Sequence, residues 1–150
     1  MEQVKNLEIV KYPADILRKK SIDIKYSEEV KQIAIRMLSL MKDNNGIGLA
    51  ANQVGLDWRM FVMKISDKDN AKICINPEII YGCVPYTEKE ACLSEPGISV
   101  EVTRNKYIVI TYIDIDGKII KENMKDLEAR CAQHEIDHLN GIMISDHSHT

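Results

Sequence analysis

Residues 130–143, RCAQHEIDHLNGIM, carry two histidines four apart with a glutamate directly after the first. On a helix, positions i and i+4 share a face, so His134 and His138 can present their imidazoles to one ion while Glu135 flanks a further coordination position. A divalent ion held by few protein ligands lowers the pKa of its water towards neutrality. An adjacent carboxylate can take that proton and pass it to a leaving amine. The chemistry that fits is metal-assisted hydrolysis. At average residue frequencies the His-Glu-x-x-His pattern arises by chance in roughly one chain in a few hundred of this length.

Two imidazoles do not complete a catalytic site, which usually has three protein ligands and one open position. One protease pattern continues through a glycine to a third histidine; here Gly141 fits, but Ile144 stands at the histidine position. A second protease class uses a downstream glutamate, and none follows Glu135. Asp146, His147 and His149 are available, but they lie in a terminal tail, for which disorder is the expectation. Upstream, Cys92 sits in EKEACLSEPGIS among charged and turn-forming residues, unlike Cys74 in KICINP and Cys83 in YGCVP. A thiolate there is a strong ligand for a borderline-soft ion, although the ordinary role of a cysteine is a small buried apolar residue.

The stretch NNGIGLAANQVG, residues 44–55, adds glycines two apart, then small Ala50 and Ala51, then Gln53. Glycine lets the backbone approach a ligand closely. A phosphate loop is a poor fit, because neither a Lys-Ser/Thr pair nor a third spaced glycine follows. The neutral amide of Gln53 can donate to a developing oxyanion without competing for a metal.

These groups must be held by the elements around them. SEEVKQIAIRMLSLMKDNNG places Val30, Ile33, Met37, Leu40 and Met41 at helical spacing, with Ser27 as N-cap and Asn45-Gly46 as the stop. Residues 59–65 and 72–80 read as strands, and the alternating segments on either side of Asp116-Gly117 read as a hairpin. A last helix runs from Lys125-Asp126 to Asn140-Gly141. The order helix, strands, helix predicts an α+β fold, with mostly antiparallel sheets packed around the C-terminal His-Glu-x-x-His helix and an N-terminal helix besides.

The chain of 150 residues, 45% apolar and 29% charged with net charge −3, reads as one soluble domain spanning residues 1–150. Basic residues occur in ones and twos and aromatic residues are sparse, which argues against nucleic-acid binding. No stretch resembles a signal peptide or a membrane span, so a cytoplasmic protein with four free thiols is expected.

GIGLAANQ, EACLS and QHEIDHL, in that order, resemble the three signature motifs of the peptide deformylases and cover about a seventh of the chain. The resemblance implies that Cys92, His134 and His138 bind one divalent metal ion. Fe2+ would be the physiological ion, with Zn2+ or Ni2+ able to replace it. It implies that Glu135 is the general acid/base and that Gln53 and the backbone N–H of Leu93 hold the oxyanion. Ile47, Leu127 and Cys131 would form the pocket for the first side chain, with Gly48 and Ala91 beside the substrate backbone. Leu127 and Cys131 precede His134 by seven and three residues, so helical spacing puts them on its face. Glu90 and Arg104 would form a supporting ion pair.

The implied reaction removes the N-formyl group from the N-terminal methionine of nascent polypeptides and releases formate. Where the family usually has glycine this chain has Ala91, and where an apolar residue is usual it has Glu95. Some deformylases continue into a long C-terminal helix implicated in ribosome docking, a contact not expected here. A homologue that binds metal and peptide without turnover and a His-Glu-x-x-His metallopeptidase are the alternatives.

Overall fold

The computed structural model describes residues 7–149, the side chain of His149 excepted. Helix α1 spans Glu28–Asp43. Ser27 lies in extended conformation and accepts a hydrogen bond from the Val30 N–H at 3.2 Å, satisfying one of the donors a helix start leaves open. Val30, Ile33, Ala34, Met37 and Met41 are buried at helical spacing, and Leu40 packs half-buried beside them.

Five strands follow: β1 (Gly48–Ala50), β2 (Met60–Met63), β3 (Lys72–Ala91), β4 (Ser99–Ile113) and β5 (Ile119–Lys125). They form one antiparallel sheet in chain order. Helix α2 spans Asp126–Leu139. This is the expected α+β arrangement.

Successive strand side chains point to opposite faces, and β2 shows the consequence. Met60 and Val62 join the apolar cluster under α1, whereas Phe61 and Met63 join the one under α2. All four are at most 1% exposed, so the sheet is covered on both faces at this point.

β3 runs eleven residues past the expected strand 72–80, to Ala91. Pro77, Gly82 and Pro85 read as breakers in the sequence. Beyond Ile75, however, β3 pairs only with β4, and an edge position tolerates proline. Register shifts between Ile75 and Glu78 and between Ile79 and Tyr81 absorb the irregularity. Cys92 therefore follows directly on the end of a strand, and Glu88–Ala91 are strand residues instead of turn residues. The hairpin is as expected: the Asp114 carboxylate accepts from the Asp116 and Lys118 N–H groups, both at 2.9 Å, and Gly117 has φ of +81°.

The C-terminal end of α2 is tied down by other segments. Asn52 Nδ2 donates to the His138 carbonyl, the Ser21 N–H to the Leu139 carbonyl at 2.7 Å, and Arg59 to the same carbonyl at 3.2 Å. These bonds satisfy acceptors that a helix end leaves open. The tail is ordered too, contrary to expectation. Ile144–His149 form a 3-10 turn over buried Met143 and Ile144. Asp146 accepts from the Met143 N–H at 2.8 Å and pairs with Arg18. Among the described residues no helix is long and apolar enough to cross a membrane.

Gly141, with φ of +77°, turns the chain out of α2 where an added Cβ would run into the Arg18 carbonyl oxygen. Gly141→Ala should lower the unfolding free energy by roughly 1–3 kcal/mol, from left-handed strain plus the clash. Urea denaturation measures this, and a loss under about 0.5 kcal/mol would contradict the packing described.

Candidate metal centre

The end of β3 and one face of α2 meet at Cys92, His134 and His138. Their three donor atoms lie within 4.8 Å of one another, and they are the sole such group of His, Cys, Asp or Glu among the described residues. Cys92 Sγ is 3.1 Å from His138 Nε2, which is 3.2 Å from His134 Nε2. Ligand bonds of about 2.0–2.3 Å in a tetrahedral site imply donor separations of roughly 3.3–3.8 Å, so one ion fits with slight opening. Buried thiolate and imidazole suit zinc or iron better than a hard cation. Burial and the neighbouring His134 depress the basicity of His138 well below the ordinary value, which leaves it neutral with a lone pair to give.

Glu90 orders the site. Its Oε1 lies 2.8 Å from His134 Nδ1, which places the ring proton on Nδ1 and turns the Nε2 lone pair towards Cys92 and His138. Arg104 grips both Glu90 oxygens at 2.9 and 3.0 Å, and Arg130 donates to Oε2 at 2.6 Å. Burial alone would raise the Glu90 pKa, but the hydrogen bonds from His134 and Arg104 outweigh it and hold the carboxyl well below the usual range. On His134 burial opposes the charged form, yet Glu135, Cys92 and Glu90 outweigh it and raise its basicity.

Glu135 is 3% exposed, and its Oε1 has no hydrogen-bond partner. Burial, opposed by His134 and Arg104, pushes its pKa up to about 7. Room for this carboxylate depends on Gly48, where a Cβ would stand 2.5 Å from Glu135 Oε2 and 2.6 Å from Cys131 Sγ. Gln53 lies in a 3-10 turn directly after β1. Its Oε1 accepts from the Ala50 N–H at 2.9 Å, so its Nε2 faces Ser94 Oγ at 3.2 Å and Cys92 Sγ at 3.5 Å.

A cavity of about 390 Å³ opens beside these groups. Ile47, Gly48, Ala91, Leu127 and Cys131 all line it, together with Gln53, Cys92, Leu93, His134 and Glu135. Ala91 is outside the left-handed region, since the described non-glycine residues with positive φ are Asn45, Asn76, Val84 and Asp126. The Cβ that replaces hydrogen there meets no backbone strain. Glu95 turns away to the tail, accepting from the Ser145 N–H at 3.3 Å. The tail supplies no ligand among the described side chains: Asp146 pairs with Arg18 and His147 with Asp137. His149 has its side chain outside the described residues.

The sequence profile of the polypeptide deformylases matches residues 6–150. The chain belongs to the peptide deformylase family. A peptide deformylase of Borreliella burgdorferi is 39% identical over 143 residues, covering 94% of this chain and 87% of that protein. One from Dictyoglomus thermophilum is 44% identical over 140 residues, covering 93% and 90%. The crystal structure of a probable peptide deformylase from synechococcus phage S-SSM7 superposes with a TM-score of 0.90 at 36% identity, covering 94% of this chain and 99% of that one. The Thermotoga maritima peptide deformylase gives 0.89 at 37%, covering 93% and 95%. The deformylases are metalloenzymes, and the donor set described above fits one ion.

Sequence reasoning missed three supports of this deformylase site. Ser94, fully buried, donates to the Val10 carbonyl at 2.6 Å and accepts from Gln53, while the Val10 N–H donates to the Gln53 carbonyl at 2.6 Å. Asn52 anchors His138 through its carbonyl. Arg130 was missed because a helical arginine ordinarily faces solvent; its position four before His134 was the available signal.

Cys92→Ser should reduce bound metal in the purified protein at least tenfold, whereas Cys74→Ser and Cys83→Ser should leave it unchanged. Metal analysis decides, and full metal content in the Cys92 variant would refute its place in the donor set. The depressed Glu90 pKa stabilises the fold above the ordinary value of 4.5 and loses that contribution as pH falls below it. In metal-free protein, the stability gap between wild type and Glu90→Gln should therefore narrow from pH 4.5 to 3. A gap constant over that range, measured by urea unfolding, would remove Glu90 from this role.

Proposed function

We propose that the chain, acting as one catalytic domain in the cytoplasm, hydrolyses the N-formyl group from the N-terminal methionine of newly made polypeptides. The carrying observation is the Cys92, His134 and His138 donor set beside Glu135, whose Oε1 has no hydrogen-bond partner, at a cavity lined by Cys92, His134 and Glu135. An ion held by the three donors, which we take to be Fe2+ with Zn2+ or Ni2+ as substitutes, would supply Lewis acidity for water and the formyl oxygen. Every other role falls to the chain itself.

Glu135, with a pKa near 7, takes a proton from the attacking water as its oxygen bonds to the formyl carbon. Gln53 Nε2 and the Leu93 N–H donate to the oxygen on which negative charge develops. The Gln53 amide is pre-set for this by Ala50 and Ser94, so little reorganisation accompanies charge development. Glu135 then delivers its proton to the peptide nitrogen as the carbon–nitrogen bond breaks, leaving formate and a free amine.

The cavity also accounts for a peptide substrate. β1 pairs only with β2, and the last residues of β3 pair only with β4, so each strand keeps one unpaired edge beside the cavity. An extended backbone at Gly48 and Ala91 would find partners there. Ile47, Leu127 and Cys131 give its first side chain an apolar wall.

Ferrous-loaded protein should release formate from N-formyl-Met-Ala-Ser. Glu135→Ala should keep its metal and lose about two to three orders of magnitude in rate, the scale of a removed general base. Near-normal turnover in that variant would sink this mechanism, and no formate from metal-loaded wild type would favour a homologue that binds without turnover.

A further inference from the structure

A second cavity, of about 610 Å³, adjoins the one at the metal centre, and Asn45, Gly46 and Ile47 line both. Much of its lining is apolar: Ile35 and Leu38 from α1, Ile47 from just before β1, and Ile65 from just after β2. Ile35 stands outside the face that α1 buries in the core and is 42% exposed, and Ile47 is 38% exposed. An amphipathic helix ordinarily turns polar residues to solvent on that side. Large apolar side chains grouped at a concavity, unlike scattered ones, mark a binding surface. Lys42, Lys64 and Asp67 add charge of both signs around them.

The direction of the substrate decides what reaches this cavity. Gln53 follows the C-terminal end of β1 and its side chain turns back to the Ala50 N–H, so a formyl group held by Gln53 lies at that end of the strand. A peptide along the free edge of β1 with its formyl end there runs antiparallel to the strand, and its later residues pass Gly48, Ile47 and Gly46 in that order. Beyond Gly46 the wall bends away into α1: the Gly46 N–H donates to the Met41 carbonyl at 2.9 Å, and Asn45 has φ of +59°. An extended peptide and a strand both advance by about 3.3 Å per residue, so a first residue at Gly48 puts the fourth at Asn45, in the lining of the second cavity. We propose that the second cavity is a distal subsite for the substrate polypeptide, taking apolar side chains from its fourth to sixth residues.

The proposal rests on the deformylase activity argued above, and the experiment separates the two. Formate release is followed from N-formyl-Met-Ala-Ser and from two hexapeptides that extend it by three serines or by three leucines. A contact made equally before and during the reaction lowers KM without raising kcat. Wild type should therefore show a KM about fivefold lower or more for the leucine hexapeptide at similar kcat, the scale of partly burying one leucine. Ile35→Glu changes an exposed residue that lines only the second cavity, so it should abolish this difference and leave kcat and KM for the tripeptide unchanged. Equal KM for the two hexapeptides in wild type overturns the proposal, as does a leucine preference that survives Ile35→Glu. Were the cavity to serve a second copy of the chain instead, the hexapeptides would not differ and Ile35→Glu would change the mass seen in sedimentation, and the proposal would fail. Calorimetric binding of the two deformylated hexapeptides to metal-loaded protein gives the same comparison without turnover. Tighter binding of the leucine peptide with no formate from any substrate would uphold the subsite and overturn the activity.

Discussion

The carboxylate of Glu90 is the group on which the site depends. It stands at the end of β3, and the residues that hold it come from β4 (Arg104) and from α2 (Arg130 and His134). A buried carboxylate is unfavourable unless its oxygens are filled, and here both are taken by charged donors. One consequence is mechanical, since three elements are pinned at one point. The other is electronic, since the bond to Nδ1 decides which nitrogen of His134 faces the donor cluster. Arg104 extends the arrangement to Asp137 on α2, and Asp137 in turn holds His147 of the C-terminal turn.

Around this point the sheet acts as a partition. β2 sends alternate side chains into two apolar clusters, so α1 and α2 lie on opposite faces and α2 packs against strands covered from behind. Precision at the reacting atoms comes from small residues and short bonds. Gly48 leaves the volume that Glu135 occupies, and Gln53 is oriented by a backbone donor only three residues away. Within those surroundings Glu135 Oε1 is buried without a hydrogen-bond partner, and burial raises the pKa of the carboxyl.

How much of this could be read beforehand depended on the range of the interaction. The histidine helix and its Asn140-Gly141 stop, α1 with its Ser27 cap and the Asp116-Gly117 hairpin are written in local spacing, and each was legible. Cys92 could only be nominated from its surroundings, because nothing local links residue 92 to residue 138; the motif resemblance made that link. The true length of β3 was hidden by Pro77, Gly82 and Pro85, whose ordinary meaning as breakers is suspended on an unpaired edge. Ser94, Val10 and Asn52 act across 41 to 86 residues of chain and carry no periodic signature. The tail was misjudged as well, since its partners, Arg18 and Glu95, are remote in sequence.

That scatter of partners along the chain has a consequence for how the protein is made. Two of the three donors, and the residue that would move the proton, lie on α2, which follows all five described strands in the chain. Glu90 and Cys92 are translated earlier, but before α2 docks they face neither imidazole. The donor set therefore exists only once α2 is docked against the end of β3, and binding of an ion there would be linked to that docking.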